Sequence, residues 1–215
     1  MPMPGTTESP TGAVTDADLG PGRLTAFSDG VLAVIITITA LGLRPPDGTS
    51  FDSLAHRLPA LLIYILSFAY IGIYWNNHHH LFRATERING GVMWANLHLL
   101  FWLSLIPVLT EWVGTDYRHA LPAAAYGAGA VGAAVAYGIL VRTILAANPP
   151  PSLVATAIGG DFKGNASVVV YAAGIGLAFL PFGPWLGYAC FAIVAVVWFI
   201  PDRRLTKAIA QPTRA

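Results

Sequence analysis

Residues 23–43 read RLTAFSDGVLAVIITITALGL, and this stretch decides what kind of chain it belongs to. From Leu24 to Leu43 it holds a single charged residue, Asp29. About 20 helical residues span ~30 Å, the thickness of a bilayer's hydrocarbon core. Arg44-Pro45-Pro46 closes the run, since proline cannot continue a helix. Five further apolar stretches follow: about Leu58 to Phe82, Val92 to Val113, Leu121 to Leu145, Ala166 to Phe182, and Trp185 to Ile200. Only Gly183 and Pro184 separate the last two, as in a tight helical hairpin. Isolated strands cannot satisfy their backbone polar groups in lipid, so all six stretches are expected to be helices.

The rest of the 215-residue chain agrees. Hydrophobic residues make up 55% and charged residues 11%, against roughly 25% charged in a soluble domain. With a mean hydropathy of +0.59 there is too little polar surface to cover a globule in water. Twelve basic and eleven acidic residues leave a net charge of +1, which gives no field for nucleic acid. The one cysteine, Cys190, excludes an intramolecular disulfide and a cysteine metal cluster. The expectation is an all-α, multi-pass integral membrane protein whose first partner is the lipid bilayer.

Residues 1–21 are rich in Pro, Gly and Thr, lack the basic start and apolar core of a secretory signal, and read as a disordered cytoplasmic tail. Residues 22–201 read as a six-helix transmembrane domain and residues 202–215 as a basic cytoplasmic tail. With the N-terminus inside, nine bases fall on the inner side: Arg23, Arg83, Arg87, Arg142, Lys163, Arg203, Arg204, Lys207 and Arg214. Only Arg44, Arg57 and Arg118 fall outside, so both termini are expected in the cytoplasm. The fourth stretch carries Gly127-Ala128-Gly129-Ala130 and Gly132-Ala133-Ala134, small residues that let helices approach closely within the subunit.

Ionisable groups at membrane depth are costly and mark function or tight pairing. Asp29 lies two turns inside the first stretch, and Arg23, six residues earlier, is not at the spacing of an intrahelical pair. Its partners should come from other helices. Trp75-Asn76-Asn77-His78-His79-His80 closes the second stretch, and Asn96 and His98 begin the third, all toward the same membrane face. Arg23, Ser28, Asp29, Trp75, one or two histidines and Asn96 could form one satisfied network. Two other readings remain open, a metal site and a proton sensor. Against a metal, neighbouring histidines on a helix point about 100° apart and no carboxylate completes a ligand set at helical spacing. No phosphate-binding loop, zinc-protease pattern or serine elbow occurs, so no enzymatic activity is expected.

On a helical period Phe27, Gly30 or Val31, Val34, Ile38 and Leu41 form one stripe, with Thr37 beside it. The stripe could pack against other helices or lipid. A ring of such helices would instead line a narrow apolar pore that conducts when wetted, with Thr37 a weak hydroxyl ligand for a passing cation.

Arg23-x-x-x-Phe27-Ser28-Asp29-Gly30-Val31-x-Ala33-Val34-x-x-Thr37 resembles the RxxxFSDGVxAIxxT signature of the transmembrane protein 175 family, the lysosomal potassium channel of animals and its shorter prokaryotic relatives. The resemblance continues in Trp75-x-x-His78-His79-x-x-Phe82, in Asn96, and in Leu105-Ile106-Pro107-x-x-Thr110. It covers the first three stretches. It implies a homotetramer in a prokaryotic cell membrane, with the first helix of each subunit lining a central pore that lacks a carbonyl filter. By the same resemblance Val34 is the tightest constriction, Ile38 and Leu41 form further apolar rings, and Thr37 bears on potassium preference. Arg23, Ser28, Asp29, Trp75, His78 or His79, and Asn96 would form a structural polar network. The family usually has Ile where this chain has Val34, which implies a slightly wider ring and weaker selectivity.

The function expected is a potassium-permeable channel, with proton passage as a further property, no cofactor beyond the permeant monovalent cation, and a hydrophobic gate. The alternative is a carrier for a small solute, but the halves of the chain lack convincing similarity and the first helix is uninterrupted.

Overall fold

The computed structural model describes residues 21–157 and 162–199. The expected tails, apart from Pro21, lie outside the described residues, as do Arg203, Arg204, Lys207 and Arg214. Eight helices account for the secondary structure of the described residues: α1 (Pro21–Leu41), α2 (Phe51–Arg83), α3 (Gly90–Ser104), α4 (Ile106–Asp116), α5 (Ala120–Ala147), α6 (Leu153–Ala157), α7 (Phe162–Leu177) and α8 (Gly183–Phe199). Helix occupies most of each of the six apolar stretches. Among the described residues, four segments are long and apolar enough to cross a membrane: α1, α2, the α3–α4 pair over Gly90–Asp116, and α5. α8 is a shorter apolar helix of 17 residues and α7 has 16.

The boundaries depart from the sequence reading at four places, three of them with a local cause. α2 starts at Phe51, seven residues before Leu58, because Ser50 caps it: the Ser50 hydroxyl accepts a hydrogen bond from the Ser53 amide at 3.1 Å. The resulting 33-residue helix is about 50 Å long, so its first turns, with Asp52, His56 and Arg57, extend beyond a ~30 Å hydrocarbon core. The third stretch is broken at Leu105, where α3 ends and α4 begins with Pro107 in its first turn. Proline lacks an amide proton and crowds the carbonyl four residues back, which favours a break here, although α2 runs on through Pro59. α6, a single short helix after the prolines at 149–151, was not expected.

The fourth departure is the hairpin between α7 and α8. Its turn falls at residues 178–182, and Gly183 and Pro184 open α8 instead of forming the connection. Proline's fixed φ suits a first helical turn. Phe182 takes a positive φ of 59°. A Cβ on Gly183 would strike the carbonyl oxygens of Leu177 and Ala178, so the turn closes only over glycine.

α5 is the central post, packed against α3, α4, α7 and α8. Its small residues are used inside the subunit: a Cβ on Gly132 would enter the Trp102 ring, and those on Gly127 and Gly129 would meet Phe191 and Leu109. Leu99, Leu103, Ile106, Leu140 and Ile144 fill the space between α3, α4 and α5, each 1% exposed or less. Three hydroxyls tie α2, α4 and α5 together at depth. Thr110 donates to the Ser67 hydroxyl at 2.7 Å, and Ser67 and the Tyr126 hydroxyl are 2.9 Å apart. At the end of α5, buried Asn148 clamps the α2–α3 loop, its Oδ1 accepting from the amides of Glu86 (3.2 Å) and Arg87 (2.8 Å). α1 lies at one side of this body, covered by α2, α3 and α4 along one face only.

Candidate pore helix and its polar anchor

α1 has no glycine or proline after Gly30 until Gly42, and its β-branched run through Val31–Thr39 still forms continuous helix because lipid or protein, not water, surrounds it. One face is buried at Ser28, Leu32, Ile35 and Thr39, spaced four, three and four residues apart. The opposite face is bare. Phe27 is 52% exposed, Val34 55%, Ile38 49% and Leu41 83%. Gly30 and Thr37 lie exposed on the same side, and Thr37 donates its hydroxyl to the Val34 carbonyl at 2.8 Å. Pro107 and Val108 of α4 flank this face, so that Phe27, Gly30, Val34 and Ile38 line one side of a shallow apolar groove.

The buried face is anchored at its N-terminal end by a hydrogen-bonded chain through three helices. The Asn96 amide nitrogen on α3 donates to the Ser28 hydroxyl at 2.9 Å, and Ser28 donates in turn to the Leu24 carbonyl at 2.9 Å. The Asn96 amide oxygen lies 2.8 Å from His78 Nε2 on α2. An amide oxygen only accepts, so this bond assigns the His78 proton to Nε2. The other ring nitrogen, Nδ1, is buried without a hydrogen bond among the described residues, while the ring stacks on Phe82 at 4.4 Å. Ser28 and Asn96 are fully buried and His78 is 1% exposed.

Asp29 makes a second, separate contact, accepting from Trp75 Nε1 at 2.9 Å. Trp75 is 45% exposed, so this pair sits at the rim of the buried chain. His79 leans on the Trp75 ring at 6.0 Å and makes no hydrogen bond among the described residues. Arg23 is exposed and contacts neither group. Six residues turn a helix through about 600°, which sets Arg23 about 120° around α1 from Asp29. Within one chain, then, the candidate residues fall into a buried trio (Ser28, Asn96, His78), a rim pair (Asp29, Trp75) with His79 beside it, and Arg23 outside both.

His98 accepts from Trp102 Nε1 at 3.0 Å on the outer face of α3, away from the trio. Among the described residues no three His, Cys, Asp or Glu side chains are placed to hold a metal ion. The sequence reading missed the Ser67–Thr110–Tyr126 tie and the Asn148 clamp. Lone hydroxyls inside apolar stretches were the available signal for the first. Asn148 was legible only as a helix end.

Comparison with known proteins follows the same residues. The family model described as endosomal/lysosomal potassium channel TMEM175 matches residues 23–107, from the start of α1 into α4. A potassium channel of Chryseobacterium sp. strain P1-3 is 48% identical over 190 residues, covering 88% of this chain and 98% of that protein. An endosomal/lysosomal proton channel of Danio rerio is 27% identical over 90 residues, 40% of this chain and 17% of that one. In fold, the chain is similar to the crystal structure of a lysosomal potassium-selective channel TMEM175 homolog from Chamaesiphon minutus, with a TM-score of 0.68, 23% identity, and coverage of 86% of this chain and 97% of that one. Apolar helices, a bare α1 face held by a motif-encoded anchor, and near full-length similarity to a bacterial channel converge: the chain is a membrane protein belonging to the TMEM175 family of potassium channels.

Proposed function

We propose that this protein is a potassium-permeable channel assembled as a homotetramer, with six membrane-crossing helices per subunit, both termini cytoplasmic, and four copies of α1 around a central pore. The carrying observation is the bare stripe Val34, Ile38 and Leu41, half to four-fifths exposed on a helix whose other face is locked to its own subunit. A pore-lining helix must be held at a fixed rotation, because a turn of about 100° replaces one inward residue by the next, and this anchor supplies such a hold.

Rings of Val34, Ile38 and Leu41 would form a hydrophobic constriction that blocks ions when dry and conducts when wetted. α1 is unbroken helix through this region, so its carbonyls are engaged internally and cannot replace an ion's hydration shell as a carbonyl filter does. Thr37, its hydroxyl tied to the Val34 carbonyl, offers a passing cation an oxygen lone pair and no charge. A permeant ion therefore keeps most of its water, and the preference for potassium is modest. Water filling the same rings would also carry protons, in line with the activity named for the Danio rerio relative. The residues Ser28, Asp29, Trp75, His78 and Asn96 serve this reading as the structural support of α1, not as ion ligands, while Arg23 and His79 add no hydrogen bond to it among the described residues of one subunit.

Replacing Val34 or Ile38 by Asn, in separate variants, puts a ring of amides at the constriction and wets it. Potassium efflux from liposomes reconstituted with Val34→Asn or Ile38→Asn should exceed wild type. Unchanged flux in both variants, with the protein shown to be inserted, would refute the reading.

A further inference from the structure

At its C-terminal end α1 meets a second electrostatic feature that the constriction does not explain. The helix carries no base in its last turn, so its terminal carbonyls leave a partial negative charge of about half a unit per helix, favourable to cations. Three residues beyond Leu41, the chain places a full positive charge, Arg44. Four such arginines would outweigh the carbonyl field at the mouth.

Arg44 is not left uncompensated. Its guanidinium lies 3.5 Å from Glu111 Oε1 on α4, and a Cβ on Gly42 would sit 3.9 Å from the Glu111 Cβ, so the base of this side chain stands beside the end of α1. Arg57, the other base bordering the same recess, is held 2.7 Å from Asp47. The recess they share, about 220 Å³, also takes in Thr39 and Gly42 of α1. The remaining charged groups at this end have other neighbours: Asp52 beside His56, Asp116 beside His119, and Arg118 over the Tyr117 ring. The Arg44 and Glu111 side chains are 75% and 53% exposed. An ion pair that open contributes next to nothing to stability. Its effect is on the local field.

We propose that Glu111 is a conductance-determining residue: by neutralising Arg44 it leaves the carbonyl ends of α1 to draw cations into the mouth. The inference rests on the reading that α1 lines the pore. Taken at one screening length from a permeating ion, ~10 Å at 0.1 M salt, four uncompensated charges change local cation concentration roughly threefold, and hardly at all near 1 M, where the screening length is ~3 Å.

The test is potassium conductance of the full-length protein in planar bilayers, in 0.1 M and 1 M KCl, for wild type, Glu111→Gln, Arg44→Gln and the double variant. At 0.1 M, Glu111→Gln should lower conductance about threefold, Arg44→Gln should raise it, and the double variant should return near wild type. All four should converge at 1 M. Equal conductance at 0.1 M, or a Glu111→Gln deficit that persists at 1 M, would overturn the proposal, the second because it marks a structural lesion. Val34→Asn, run alongside, separates the two levels: if it raises conductance while Glu111→Gln does nothing, only the mouth proposal fails. If neither changes conductance, both fall.

Discussion

Asn96→Leu keeps the side chain's shape and removes both its polar ends, so it isolates the anchor of α1. The asparagine is fully buried and holds two bonds, to Ser28 at 2.9 Å and His78 at 2.8 Å. The losses are unequal. Ser28 keeps its own bond to the Leu24 carbonyl and forfeits only an accepted bond. His78 loses the partner of its one proton, and its other nitrogen already has none among the described residues, which leaves a buried imidazole with no hydrogen bond at all. An orphaned buried donor costs about 1–3 kcal/mol. The bond itself is worth less, since interhelical hydrogen bonds in membranes average about 0.6 kcal/mol in double-mutant cycles. The orphan term therefore dominates, and at 2–4 °C per kcal/mol for a chain of this size the melting temperature should fall by roughly 2–12 °C. Thermal unfolding in detergent, followed by loss of the monodisperse chromatographic peak, measures it. Replacing both partners by apolar groups of similar shape is nearly neutral, so His78→Phe with Asn96→Leu should recover most of the loss. If Asn96→Leu melts with wild type, or the double variant melts below the single, the anchor is not what holds α1.

Two further outcomes follow from packing. Asn148→Ala removes an amide that takes the Glu86 and Arg87 amides and donates to the carbonyls of Arg87 (3.0 Å) and Ile144 (2.9 Å). It should cost about 2–4 kcal/mol and raise hydrogen exchange at the Glu86 and Arg87 amides, and unchanged exchange would contradict the clamp. Gly132→Ala drives a methyl into the Trp102 ring and should destabilise by about 1–3 kcal/mol. Gly138→Ala on the same helix meets nothing within 4 Å and should gain up to ~1 kcal/mol. Thermal melts of the pair in detergent that fail to diverge would show α5 packs differently.

Much of this was legible along the chain, because lipid imposes one simple rule: runs of apolar residues become helices, and polar residues inside them must find each other. That rule located helix in every apolar stretch and picked Ser28, Asp29, Trp75 and Asn96 as groups in need of partners. It could not say which pairs form, since Ser28 and Asn96 are 68 residues apart and rotation about each helix axis decides the match. Arg23 stands outside the contacts for that reason. Boundaries failed where one residue has two local uses. Gly183-Pro184 was read as a turn, although proline also starts helices, and Pro107 was read through although it breaks one. The clamp at Asn148 was hidden because an asparagine that ends a helix looks the same in sequence as one that holds a loop 61 residues away.

The arrangement of α1 in the assembled protein settles the matter. A single-particle reconstruction of the full-length protein in lipid nanodiscs should show fourfold symmetry, with Val34, Ile38 and Leu41 of every subunit turned toward the axis and the narrowest point at Val34. A lone subunit, or an assembly in which α1 lies at the lipid-facing perimeter with another helix around the axis, would contradict it.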